Sequence, residues 1–295
     1  TLDGLTIVDG KPVVSGKSEG GGILVGENAS LTVLNTTLSG NSADNGGGGI
    51  FNYGVLVVRN SSFVSNTTYA EGGAIFNTGR ATISDSTLSS NEAESLGGGI
   101  SNRDTLTITN STLYRNVSNY IGGAIYNSAA LVVKSSTLLD NAAADSGGGL
   151  YSSGNSSTLT FANTIIARSL NGGDCQVAYG GVLTSGANNL IEGIGSNACG
   201  LTNGVNGNII GSDPLLGGLA RNGGPTLTHL PQSGSPAIDA GDCTAGPTTD
   251  QRGVARPQGP ACDIGAVEKS EPSCNGLFLD GFERGTSLAW SDRTR

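Results

Sequence analysis

Residues 97–127 read GGGISNRDTLTITNSTLYRNVSNYIGGAIYN, and this stretch decides the fold. Leu106-Thr107-Ile108-Thr109 alternates apolar with polar, the period-2 pattern of a strand that buries one face. Glycine-rich tetrapeptides bracket it, ending at Ile100 and at Ile125. Working outward, such tetrapeptides end at Ile23, Ile50, Ile75, Ile100, Ile125 and Leu150, at intervals of 27, 25, 25, 25 and 25 residues. Asn41, Asn66, Asn91, Asn116 and Asn141 keep the step of 25. So do Val33, Val58, Ile83, Ile108 and Val133, and so do Leu38, Phe63, Leu88, Leu113 and Leu138. The two extra residues of the first interval fall in the region 26–30. A second two-residue insertion, around 155–157, is expected to place Ile165 in the Leu column.

A unit of 25 residues holding about three short strands, with no useful helical spacing, predicts an all-β fold. Its form is a right-handed parallel β-helix, a pectate-lyase-like solenoid with one unit per coil. The 49 glycines among 295 residues lack the every-third spacing of collagen, and the strand signature of a leucine-rich repeat is absent. The Ile/Leu column must point inward. Asn52, Asn77, Asn102 and Asn127 share its parity and should form an amide ladder at a bend, with the column Asn41 to Asn141 as a second ladder. The glycines suit either a positive φ or a turn with no room for a Cβ. Asn-x-Ser/Thr triplets at Asn28, Asn35, Asn60, Asn66, Asn110, Asn116 and Asn155 read as turn composition rather than as glycosylation sites. A net charge of −9 argues against nucleic acid, and no apolar run approaches the roughly 18 residues of a membrane span.

Two resemblances follow from these residues. Gly72-Gly73-Ala74-Ile75 with Phe63-Val64-Ser65-Asn66 resembles the paired GGA(I/L/V) and FxxN repeats of chlamydial polymorphic outer-membrane proteins, which are surface adhesins. The C-terminal run is more specific. Asn222-Gly223-Gly224-Pro225-Thr226, Ser235-Pro236-Ala237-Ile238-Asp239-Ala240-Gly241, Thr249-Asp250-Gln251-Arg252-Gly253 and Asp263-Ile264-Gly265-Ala266-Val267-Glu268 follow one another in that order. They resemble the C-terminal region of bacterial choice-of-anchor Q proteins, secreted β-helices with variable surface-attachment tails. The likeness implies an extracellular or bacterial cell-surface location. Leu277 to Ser291 resembles a short FxDGFE-type tail of secreted Gram-negative proteins.

From about Asn171 the step of 25 is expected to lapse, giving regular coils over 1–170, irregular coils and a cap over 171–268, and a tail over 269–295. Cysteines occur only here, without a CxxC or a Cys/His cluster, so disulfides and an oxidising compartment are expected rather than metal. Four cysteines allow three connectivities; proximity favours Cys175–Cys199 and Cys243–Cys262, leaving Cys274 odd.

A polysaccharide lyase of this fold needs carboxylates for Ca²⁺ beside a basic residue, and a hydrolase needs two or three convergent acids. Glu19, Asp44, Glu71, Glu94 and Asp145 form a loose acidic edge before the glycines, read first as solvated surface and second as a Ca²⁺ site. Arg59, Arg80, Arg103 and Arg115 share no column. The one histidine, His229, has no nucleophile elbow nearby. Asp239, Asp250, Arg252, Arg256, Asp263 and Glu268 are the densest charge cluster, expected to fasten the cap over the last coil. Beside the inward Ile column stand Leu24, Phe51, Phe76, Ser101, Tyr126 and Tyr151. Their opposite parity places them on the surface, where Phe51, Phe76, Tyr126 and Tyr151 would stack on sugars or on another protein unless a loop covers them.

No catalytic set and no cofactor is therefore expected. The leading expectation is a secreted structural or adhesive β-helix whose partners are surface glycans or cell-surface molecules. The alternative is a polysaccharide-active enzyme or a glycan-binding module. The chain lacks methionine even at residue 1 and opens mid-pattern at Leu5-Thr6-Ile7. It therefore reads as a processed product whose uncovered first coil would pair head to tail with another subunit, giving filaments.

Overall fold

The computed structural model describes residues 1–12, 18–244 and 246–269; the expected tail beyond Lys269, with Cys274, lies outside them. One coil consists of Ile50–Asn52, Val55–Arg59, Ser62–Val64 and Thr67–Thr68. The fourth strand has two residues, too few to show alternation, which is why the sequence suggested three. Equivalent strands of successive coils pair in parallel at the repeat step, as in Ile75 with Ile50 and Ile100. Strands of the Val55–Arg59 type build sheet A with eight members, and those of the Ser62–Val64 type build sheet B with nine. The Ile50–Asn52 type forms the seven-stranded sheet C and the Thr67–Thr68 type the five-stranded sheet D. The result is a right-handed β-solenoid. Its only helical pieces among the described residues are the short turns Gly195–Asn197 and Val205–Gly207.

The inward columns are sealed. Ile50, Ile75, Ile100, Ile125 and Leu150 are fully buried, as are Leu38, Phe63, Leu88, Leu113 and Leu138. Each such side chain contributes roughly 1.5–3 kcal/mol by leaving water. Both asparagine ladders form. Asn52 Nδ2 donates to Asn77 Oδ1 at 2.7 Å, and the chain of amides ends on Ser152 Oγ. In the second ladder Asn41, Asn66, Asn91 and Asn116 each donate to the next rung at 2.8–3.0 Å. A serine ladder joins them at the bend between sheets A and B. There the backbone N–H groups of Ser61, Ser86 and Ser111 donate to Ser86, Ser111 and Ser136 Oγ. Both readings of the glycines hold, at different positions: Gly72 has φ +70°, whereas a Cβ on Gly98 would lie 2.2 Å from Val117 O.

Past residue 139 the structure corrects three expectations. The insertion near residue 155 is three residues long, since Leu131 pairs with Leu159; Ile166 therefore enters the Leu column and Ile165 turns outward. The step of 25 also continues for one coil beyond 170, because Cys175 pairs with Leu150 and fills the inward Ile column, and the expected lapse comes after it, where Leu190 pairs with Ile209. Finally, residues 222–268 do not close the C-terminal end. The stack ends in residues 193–210, where Cys199, bonded to Cys175, and Leu201 pack against the core.

Residues 214–268 instead fold back as a lateral strap against sheet B. Leu139, Ile165, Ala167 and Leu190 project outward there and form a second core with Leu216, Ala237 and Ile264. The strap runs back toward the earlier coils. Asn163 Nδ2 donates to Asp242 O, Asn110 Nδ2 to Thr249 O, and Thr226 Oγ1 to Asp85 O. Cys243–Cys262 staples the strap to itself. The head-to-tail expectation assumed a C-terminal end covered by this segment, and that premise does not hold.

Candidate functional site

The sheet C strands from Ile23–Val25 to Ile125–Asn127 have three residues, so a single outward column stands between the Asn bend and the loop that returns from sheet D. Of the two readings the sequence left open for that column, exposed or covered by a loop, the structure shows the second over most of it. Phe51 and Tyr151 are buried, Phe76 and Tyr126 half-buried, and only Leu24 is exposed. The physical reason is the loop glycine: a Cβ on Gly46 would meet the Phe76 ring at 2.5 Å, so the loop lies directly on the aromatics.

The rings still form a stripe along the axis. Tyr53 stacks on Phe51 at 4.4 Å, and Phe51 meets Phe76 at 4.6 Å. Arg103 lies over Phe76 and grips Glu71 with Nε and Nη2, while Ser101 Oγ donates to the same carboxylate at 2.9 Å. Beyond this clamp Tyr126 and Tyr151 lie parallel, 6.3 Å apart. Burial chiefly raises the pKa of the Tyr151 hydroxyl, with electrostatic contributions from Tyr179, Asp145, Tyr126 and Tyr120. Tyr120 and Tyr179 are 53% and 82% exposed and were not singled out from sequence. They sit in loops outside the sheet column, so no shared register marks them. From Phe51 to Tyr151 the stripe spans four coil steps, roughly 19 Å at the parallel-strand spacing.

The acidic edge is dispersed by its own hydrogen bonds. Glu71 belongs to Arg103, Glu94 accepts from Asn119 at 2.8 Å, and Glu19 bonds the Tyr53 hydroxyl. Asp145 is exposed and Asp44 half-buried. Among the described residues no three His, Cys, Asp or Glu side chains converge to hold a metal ion.

A second site arises where the 41-to-141 ladder ends. Ser169 stands where the next Asn would stand, and Asp174 occupies the Gly/Ala position before the inward Cys175. Asp174 takes over the role of a rung, accepting from Ser169 N at 3.0 Å and from Gly193 N at 2.6 Å. Glu192 accepts from Arg168 N at 2.9 Å, and Arg168 Nε lies 3.1 Å from Asp140. Arg168, Ser169, Gly173, Asp174, Glu192 and Gly193 line an open depression of about 270 Å³. Burial raises the pKa of both Asp174 and Glu192. Gly172-Gly173-Asp174-Cys175 preserves the tetrapeptide pattern at the step of 25 and could have signalled this coil.

The charge cluster lies inside the strap. Arg252 grips Asp250 at 2.7 Å, and Arg256 bonds Glu268 at 2.7 Å with both side chains almost fully buried. Asp263 accepts from Asp239 N and Lys269 N, and burial pushes its carboxyl up to about 6. Asp239 stands at the exposed margin. The partners of the cluster, from Asn222 O to Lys269 N, all lie in the strap or directly after it, so the cluster braces the strap internally, and the strap lies along the side of the solenoid rather than over its last coil. His229 is buried beneath it, donating from Nδ1 to Gly217 O at 2.7 Å and packing on Tyr114, with its pKa lowered by burial.

A family model described as right handed beta helix region matches residues 13–166. No curated protein and no solved structure matches the chain.

Proposed function

The chain belongs to the right-handed β-helix family, and from that premise we propose that it is an extracellular, non-enzymatic structural or adhesive protein that holds glycan along its sheet C flank. The observation that carries this reading is the pair of exposed rings, Tyr120 and Tyr179, on the flank whose aromatic column the loops cover. Rigid rings with a polar tip present a flat apolar face to sugar C–H groups while their hydroxyls stay wet. The two disulfides support an oxidising, extracellular setting. No helix among the described residues is long and apolar enough to cross a membrane. The four ordered motifs that build the strap support a place among the choice-of-anchor Q surface proteins.

A second reading, a polysaccharide-active enzyme, is favoured by the pocket of Arg168, Asp174 and Glu192. Two carboxyls raised by burial in one depression beside a guanidinium are a recurrent acid–base arrangement. A glycan array and a polysaccharide-degradation assay on the same sample separate the two. The expected result is retention on the array without release of reducing or unsaturated ends, with retention lost in Tyr120→Ala/Tyr179→Ala. Sugar release that Glu192→Gln abolishes would replace the first reading with the second.

A further inference from the structure

The loop ridge beside the aromatic stripe carries a pattern of its own. Tyr69, Glu94 and Asn119 stand one repeat apart, as do Tyr120 and Asp145. Up the axis the ridge therefore offers, coil by coil, a ring at Tyr69, a carboxylate at Glu94, a ring at Tyr120 and a carboxylate at Asp145. Neighbouring coils lie about 4.8 Å apart. Tyr69 is 71% exposed and overhangs a cleft of about 190 Å³ shared with Ser42, Thr67, Glu92 and Glu94. Arg103, which lies on this flank, is already held by Glu71, whereas Arg59 and Arg80 project from sheet A. None of these three arginines compensates the ridge of alternating rings and acids, on a chain of net charge −9.

We infer that the glycan held on this flank is an amino-sugar polymer with free, protonated amines, such as a partly deacetylated poly-glucosamine. This rests on the proposed glycan-binding reading and adds the ligand's charge. A pyranose stacks on each tyrosine, and its ammonium meets both the ring face and the carboxylate of the adjacent coil. Ammonium–carboxylate pairs on an exposed ridge are individually weak and salt-sensitive, so affinity comes from several coils engaging one polymer at once. A uronate polymer would meet like charge on the same ridge.

Binding of the full chain to chitosan, N-acetylated chitin, cello-oligosaccharide and oligogalacturonate hexamers at low and high salt tests this. Chitosan hexamer should bind about tenfold tighter than its N-acetylated counterpart, a 1.4 kcal/mol difference, and lose most of that advantage at high salt. Glu94→Gln/Asp145→Asn should erase the preference while leaving the neutral oligomers unaffected. Tyr69→Ala/Tyr120→Ala should weaken all of them. Equal or tighter binding of the acetylated or uronate oligomers would overturn the amine inference and leave the glycan reading standing. Absence of binding to every hexamer would overturn both. Retention of polylysine as tight as that of chitosan, and indifferent to the tyrosine substitutions, would reduce the ridge to unspecific charge attraction and overturn the inference.

Discussion

At the residue scale, each repeat position carries one steric or hydrogen-bonding demand, and the two kinds behave differently under substitution. Ile100 is fully buried between Ile75 and Ile125, where a carboxylate would find no partner. Ile100→Asp should therefore cost several kcal/mol and unfold or split the stack. Near-wild-type melting followed by circular dichroism would refute the assignment of this column to the core. The asparagines are legible for the same reason as the isoleucines: a rung must be Asn to accept from one coil while donating to the next. The tyrosines Tyr120 and Tyr179 obey no such demand, so nothing in their spacing separates a ligand-facing ring from an ordinary loop residue.

At the element scale, the strap depends on one buried amide. Gln251 Nε2 donates to Thr87 Oγ1 at 3.0 Å and to Thr226 Oγ1 at 2.9 Å, while its Oε1 accepts from Thr112 Oγ1 at 2.6 Å. Replacing it with leucine takes from the buried Thr112 hydroxyl its acceptor, at a cost of about 1–3 kcal/mol, while the Thr87 and Thr226 hydroxyls keep their bonds to Leu227 O and Asp85 O. Gln251→Leu should expose residues 214–268 to hydrogen exchange while the amides of sheets A and C remain protected. Unchanged protection of the strap would show that its anchor lies elsewhere, in the second core around Ile165 and Ile264. The strap exists because Leu139, Ile165 and Leu190 face outward, and a three-residue insertion creates part of that apolar face. Read with a two-residue insertion, Ile165 falls inside the solenoid and the second core disappears.

For the whole molecule, two buried titrations pull in opposite directions. Asp263 is raised by burial from the ordinary carboxyl value of 3.8 to about 6, so the folded chain holds its proton more tightly than the unfolded chain does. The stability linked to that proton is present at acid pH and is lost as pH rises through about 6. Asp174 and Glu192 share the sign. His229 is lowered from 6.5 by burial, so its contribution is present above that value and is lost as pH falls. The two opposing slopes can be exposed one at a time. Thermal melts should show that, on going from neutral to mildly acidic pH, His229→Asn changes in stability more favourably than the parent chain and Asp263→Asn less favourably, with Asp174 and Glu192 common to all three. Parallel pH profiles for all three proteins would show that neither group titrates inside the folded structure.

What the sequence determined by itself is everything periodic: the parallel coils, the inward aliphatic columns, both asparagine ladders and the glycine turns. Stacking makes each position repeat its environment, so a single demand is written five or six times at a fixed step. Only the tertiary structure decided what occurs once. It laid the strap along sheet B instead of over the last coil and put the returning loops over Phe51 and Tyr151. It also gathered Arg168, Asp174 and Glu192 where a ladder runs out. These features depend on contacts between segments far apart in the chain, made by residues with no repeat to announce them, and packing alone sets their positions.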